Sequence, residues 1–277
     1  MFNAPRYEGP PSEHFDGERF SNQAPRASGS FRRFVQWRIS REPGPWERRQ
    51  REPGPPPPAR VEGDELRVTF VNHATVLIQT RGLNLLTDPI WSERCSPLSW
   101  IGPRRYVSPG LRWEDLPPID AVLISHNHYD HLDVETLRRL AEAHQPRFLV
   151  PLGNAALFAE EDLPGAEDFD WWQTTRLGAL ELTFVPAQHF SGRGTGDRDA
   201  TLWGGWSLSS EAGHEVFFAG DTGYGPHFAQ VHRRLGPPRR AHHRRRPTIG
   251  ARSVGNRARR ACGPVGRCRC GARTACR

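Results

Sequence analysis

Ala121-Val122-Leu123-Ile124-Ser125-His126-Asn127-His128-Tyr129-Asp130-His131-Leu132-Asp133 is the stretch on which the fold turns. Four apolar residues, Ala121 to Ile124, read as a strand. The helical spacing of Val134, Leu137, Leu140 and Ala141 then places a helix directly after the stretch. Three histidines and a carboxylate within six residues are thus held on a tight strand-to-helix loop. So many titratable groups cannot all be buried in an apolar core unpaired, and the spacing H-x-H-x-D-H reads as a set of metal ligands. The expectation is a metal at the carboxyl end of a strand.

Working outward, two later strands also end in a ligand-type side chain. Leu180 to Pro186 runs into Gln188-His189, and Glu215 to Ala219 runs into Gly220-Asp221. If these strands lie side by side, His126, His128 and His189 form a three-nitrogen site. Asp130 and His131 with Asp221 form a second site, and Asp221 can bridge the two. Imidazole and carboxylate without thiolate suit zinc, with iron or manganese as alternatives. Two metals sharing a water would make a hydroxide at neutral pH and stabilise charge developing on a carbonyl or phosphoryl oxygen. Asp88 ends the strand Leu83 to Thr87 and is either a turn residue or an acceptor for a ligand imidazole. His73, in Asn72-His73-Ala74-Thr75, carries the same two readings. His14, His144, His214 and His227 lack such a context and read as solvated.

Elsewhere the chain predicts mostly strands. Leu66 to Val71, Ala74 to Thr80, Arg147 to Pro151 and Thr201 to Ser209 alternate or are rich in β-branched residues, and Asn154 to Glu161 reads as a short helix. Residues 90–118, with Trp91, Trp100, Tyr106 and Trp113 among prolines, form an irregular loop of functional length. No Gly-rich phosphate loop follows the first strand, so a sheet-rich α/β sandwich fits better than a doubly wound sheet. Residues 1–60, rich in Pro, Arg, Gly and Ser, read as an extended arm, in which Phe31 to Arg38 makes one or two amphipathic turns. Those turns either pack on the main domain, the favoured reading, or touch a membrane.

The formal charge of +7 is unevenly spread. Residues 231–277 hold 15 arginines and no acid, so residues 1–230 carry 23 basic against 31 acidic residues. The body is acidic, and no specific nucleic-acid partner is expected of it. Four of the five cysteines also lie after residue 230, leaving Cys95 alone in the body. That usage suits a reducing, cytoplasmic location, and no apolar run reaches the roughly 18 residues of a membrane span.

The motifs "NHATVLIQ", "LTDPIWSERCSP", "IDAVLISHNHYDHLD", "FVPAQHFSGR", "LWGGWSL" and "FFAGDTGYGPHF", in this order over residues 66–230, are similar to those of the N-acylphosphatidylethanolamine-hydrolysing phospholipase D group and its bacterial relatives. That group lies within the metallo-β-lactamase superfamily. The resemblance implies an αββα sandwich with a dinuclear zinc site. It implies a lipid substrate whose phosphodiester is cleaved by metal-bound hydroxide, giving phosphatidic acid and an N-acylethanolamine. His126, His128 and His189 match the ligands of one zinc, Asp130 and His131 those of the other, and Asp221 the bridging aspartate. A lactonase, thioesterase or nuclease of the same superfamily is the alternative enzyme, because substrate choice lies in loops. Trp203 and Trp206 and the Trp-rich loop favour an apolar substrate.

In the family the chain continues past the aspartate motif with a helix, a strand and a loop bearing one more ligand histidine. Residues after Gln230 lack acids, aromatics and apolar periodicity, and His232, His242 and His243 sit among arginines. The expectation is therefore a domain over 61–230, incomplete at its C-terminal side, and a tail over 231–277 translated in a shifted reading frame. The competing reading is a basic binding tail on an inactive fragment. Reading the coding DNA in the other two frames decides between them. With Asp130, His131 and Asp221 as its sole protein ligands, the second zinc would show reduced occupancy and the chain little activity.

Overall fold

The computed structural model describes residues 3–25, 31–40, 42, 52–98 and 100–242. Trp46, His243 and the arginine- and cysteine-rich remainder of the tail lie outside the described residues.

Two sheets face each other. The first is six-stranded, in the order β1 (Leu66–Asn72), β2 (Thr75–Thr80), β3 (Leu83–Thr87), β4 (Ala121–Leu123), β5 (Arg147–Pro151) and β6 (Ala166–Phe169). Its first three strands are an antiparallel meander and its last three run parallel to β3. The second sheet has the order β11 (Arg240–His242), β10 (Gly213–Phe218), β9 (Gly204–Ser210), β8 (Leu180–Pro186) and β7 (Thr174–Leu177).

Side-chain alternation decides the layers. In β2, Val76 and Ile78 point between the sheets, where they meet Leu182, Phe184, Trp206 and Phe218 of the second sheet. Leu77, between them, points outward against α2 (Val134–His144) and α3 (Ala155–Glu160) with Leu86, Val122 and Phe148. A strand buried on both faces must be apolar throughout or internally paired, and every residue of β2 is buried. Burying a Leu, Ile or Phe side chain contributes about 1.5–3 kcal/mol, so these two clusters supply the main driving force. On the far side, α4 (His227–Leu235) lays Val231 against Val185, Phe217 and Ala219 of the second sheet. The layers run helix, sheet, sheet, helix, as the αββα expectation requires.

Both proposed ends of the domain are corrected. Residues 3–25 are not an extended arm: Phe15 and Phe20 are buried in the inter-sheet core, and Ala4 joins the outer cluster. A composition rich in Pro, Arg, Gly and Ser reads as an arm, but its anchors, Phe20 N to Asp199 O and Tyr7 N to Ala200 O, come from residues far along the chain. Further along the expected arm, α1 (Phe31–Ser40) is a helix, longer than the one or two turns expected, with Ile39 79% exposed. At the other end order continues past Gln230. Phe228, Val231 and Leu235 keep a helical stripe that the intervening arginines obscure, and the Arg234 guanidinium lies 4.1 Å over Trp172. Arg239 donates to Glu215 at 2.7 Å, and β11 pairs in parallel with β10. The sandwich therefore extends to His242.

Candidate metal centre

The topology brings every candidate ligand to one end of the sandwich. Strands β3 and β4 are parallel, so Asp88 and Ser125 emerge side by side. The pairing of Val76 with Thr87 puts the β1–β2 turn, with His73, next to Asp88. In the second sheet β8 and β10 are both antiparallel to β9, so His189 and Asp221 also leave at a common end. The two ends meet where Gly204 N donates to Ser125 O at 2.9 Å. Gly220 makes this approach possible: at φ +59° it takes the left-handed region, and a Cβ there would lie 2.6 Å from Ser125 Cβ.

Three nitrogens face one another in the first nest. His126 Nε2 lies 2.7 Å from His128 Nδ1, and His189 Nε2 lies 3.3 Å from the same atom. The neighbouring nest contains Asp130, His131 and His73, with His73 Nε2 2.9 Å from Asp130 Oδ2 and His131 Nε2 3.8 Å from it. Asp221 stands between the nests, its Oδ1 3.6 Å from His131 Nε2 and its Oδ2 4.0 Å from His189 Nε2. Side chains of His126, His128 and His189, of His73, Asp130 and His131, and of Asp88, His126 and His131 are each grouped closely enough to hold a metal ion.

Such an ion fits the donor chemistry. Four-coordinate zinc has bonds near 2.0–2.1 Å to His nitrogen, so two ligand atoms on one ion sit roughly 3.3 Å apart. The separations run from 2.7 to 3.3 Å in the first nest and from 2.9 to 3.8 Å in the second, close to that value. His131 Nε2 is buried and has no hydrogen-bond partner, which a metal would supply.

Asp88 fixes the histidine loop. It closes β3 with φ +36°, a left-handed conformation that Asp tolerates better than most residues. Its carboxylate accepts from Ser125 N at 2.7 Å, from Ser125 Oγ at 2.6 Å and from His131 Nδ1 at 2.6 Å. Ser125 Oγ also lies 2.9 Å from His126 Nδ1. One carboxylate thus orients a histidine in each nest and turns both Nε2 atoms toward the ion sites. Burial opposes a charge on His131, but Asp88, Asp221 and Asp130 outweigh it and lift the imidazole to about 10. Burial lifts the Asp88 carboxyl as well, against the pull of His131 and Ser125.

Several residues beyond the candidate ligands support the site; Arg193 and Trp206 fall inside the quoted motifs, and Asn22 falls outside them. Asn22, far back in the N-terminal segment, accepts from His189 N and donates to His189 O, both at 2.9 Å. Arg193 donates to the carbonyls of Asn127 and Leu132 at 2.9 Å each, which ties the loop after His189 to the histidine loop. Trp206 donates to Ile124 O at 2.8 Å from beneath. Trp203 and Trp206 are fully buried and so serve packing, not substrate contact.

Two histidines expected to be solvated are buried. His214 bridges Ser207 Oγ at 2.7 Å and Gly236 O at 2.9 Å, and His227 lies 3.1 Å from Thr222 Oγ1. His14 is half-buried on Asp170 at 2.7 Å. His232, on α4, is exposed and stands apart from the ligand groups.

The fold and this site define a metallo-β-lactamase-type protein. A family profile described as "Beta-lactamase superfamily domain" matches residues 83–242, more than half of the chain, and the chain belongs to that family. The match, like the described residues, runs to residue 242. Among curated relatives, the uncharacterized protein Rv0906 of Mycobacterium tuberculosis is 41% identical over 180 residues, 64% of this chain and 48% of the relative. N-acyl-phosphatidylethanolamine-hydrolyzing phospholipase D 1 of Caenorhabditis elegans is 34% identical over 184 residues, 62% of this chain and 51% of that protein. The chain thus spans about half the length of these relatives. A possible metal-dependent hydrolase from Veillonella parvula superposes with a TM-score of 0.50 at 17% identity, covering 63% of this chain and 70% of that one, a likeness of fold alone.

Proposed function

We propose that this chain is a zinc-dependent phosphodiesterase that cleaves N-acylphosphatidylethanolamine-like lipids of the phospholipase D type. The observation that carries the reading is the pair of adjoining nests with Asp221 within 4.0 Å of a histidine in each. Bound metal would supply a hydroxide at neutral pH and an electrophile for the phosphoryl oxygens. His126, His128 and His189 would hold one ion and Asp130 and His131 the other, with Asp221 shared between them. Asp88 holds the His131 proton on Nδ1, so that Nε2 is left for the metal. Asp130 and Asp221 would be the carboxylates that steer the attacking water toward phosphorus.

The named C. elegans relative supports the lipid phosphodiester as substrate. So do exposed apolar side chains on the 90–118 loop, Trp100 at 71%, Ile101 at 51% and Tyr106 at 53%, which with Ile39 of α1 suit peripheral contact with a lipid surface. Among the described residues no helix is long and apolar enough to cross a membrane. The single cysteine of the body supports a reducing, cytoplasmic setting.

The test uses the full chain loaded with zinc and offered vesicles containing N-acylphosphatidylethanolamine, beside a panel of lactones and thioesters. Release of N-acylethanolamine above the metal-free control is expected. Turnover of a lactone or thioester with none of the lipid would assign the chain to another chemistry of the same fold.

A further inference from the structure

We infer that His73 is a direct protein ligand of the second metal, completing a donor set of His73, Asp130, His131 and Asp221. This rests on the dinuclear reading above and changes its second half. Ligand matching by resemblance leaves that site with three protein donors, and the tail offers no replacement among the described residues.

The placement follows from the turn. His73 sits between β1 and β2 with φ +46°, a left-handed conformation that is unusual for histidine and aims the ring along the end of the sheet. Its Nε2 reaches 2.9 Å from Asp130 Oδ2, and its ring stands edge-on to His131 with centroids 5.1 Å apart. With His131 Nε2 3.8 Å from the same Asp130 oxygen and 3.6 Å from Asp221 Oδ1, the four donors stand in a series, His73, Asp130, His131 and Asp221, each 2.9–3.8 Å from the next. Roughly 3.3 Å between donors is what a four-coordinate ion requires. A second observation points to an ion among them: His131 Nε2, on a side chain with no solvent exposure, faces this space without a hydrogen-bond partner. If His73 served only to hydrogen-bond Asp130, that nitrogen would still be unanswered.

The chemistry of the set also fits an ion. Two imidazoles and two carboxylates, one of them shared with the first ion, offset much of a divalent charge, and the mixed donors suit zinc or iron. His73 and Asp130 keep about a quarter of their side-chain surface exposed, so the ion would remain open to water on that side.

The test is a Co2+ titration of the full chain, followed by absorption and by hyperfine-shifted proton NMR. His73→Asn is the chief variant, because Asn tolerates the left-handed turn. Equal melting temperatures of the metal-free proteins check that it folds. Two equivalents are expected for the wild type. In His73→Asn the second equivalent should bind at least tenfold more weakly, and one shifted, exchangeable imidazole resonance should be lost. His73→Gln, which can still donate to Asp130, should not restore the second equivalent. Unchanged second-site affinity in His73→Asn, or its restoration by Gln, overturns the assignment while leaving the dinuclear reading standing. A wild-type chain that takes up no Co2+ overturns both.

Discussion

The two nests of the candidate metal centre are built on opposite plans. The first draws three nitrogens from two loops that are clamped from behind: His126 through Ser125 and Asp88, His189 through both backbone hydrogen bonds to Asn22. The second mixes nitrogen with carboxylate and has only His131 fully enclosed, while His73 and Asp130 stand at the rim. With two of its three ligands buried and held from behind, the first nest loses little on binding because those ligands are already oriented. The first nest should therefore fill first and the second should set the activity.

Asp221 touches both plans, so its removal gives the largest effect. In Asp221→Ala, turnover of the phosphodiester should fall by about 10³-fold or more, the several kcal/mol expected when a shared metal bridge is lost. Zn2+ affinity measured by chelator competition should weaken in both steps. Weakening of one step alone would mean that the nests are independent and that the bridge does not exist.

Asp88→Asn comes next. It leaves the fold's shape but disturbs the acceptor of His131 Nδ1 and of both Ser125 donors. A loss of about 10–100-fold in metal affinity is expected, felt in both nests and more in the second, where the contact to the ligand is direct. Equal affinity before and after the change would relegate Asp88 to a turn residue.

Asn22→Ala separates the nests. It removes the two hydrogen bonds to the His189 backbone and costs about 1–3 kcal/mol of stability by chemical denaturation. Metal binding should weaken at the first nest only. An equal effect on the second step would show that the N-terminal segment supports the sandwich as a whole instead of this loop.

The same contrast explains what could be read from the sequence. That the residues of the first nest and Asp130, His131 and Asp221 would meet at one end of the sheets was legible because each follows a strand whose apolar run announces it, such as Ala121 to Ile124 before His126. The core strands were legible for the same reason. Asn22 was not, because its partner lies 167 residues away and an isolated Asn in a loop has no local pattern. Strands β6 and β7 were missed because their residues, Ala166 to Phe169 and Thr174 to Leu177, are polar edge strands whose pairing, not composition, makes them strands. Helix α4 was missed because its apolar stripe is diluted by His232, Arg233 and Arg234, and its burial depends on Phe217 and Val185 across the layer. His73 lay between two readings, since a histidine in a turn acquires meaning only when register sets it beside Asp130.

The smallest predicted effect tests the strap that joins the two supplying loops. Thr222 Oγ1 takes the hydrogen bond from Gln188 N, next to His189, and lies against His227 Nε2, so His227 backs the seam between the loops that deliver His189 and Asp221. Burial lowers His227 to about 4, below its ordinary 6.5. Below pH 6.5 the unfolded chain therefore takes up a proton that the folded chain refuses. The stability contributed by neutral His227 is fully present above that pH and drains away as pH falls toward 4, by on the order of 2 kcal/mol. Denaturant unfolding of the metal-free chain between pH 7 and 4.5 should show this loss in the wild type and a smaller one in His227→Gln. Parallel curves for the two proteins would mean that His227 is hydrated in solution and that the strap depends on Thr222 alone.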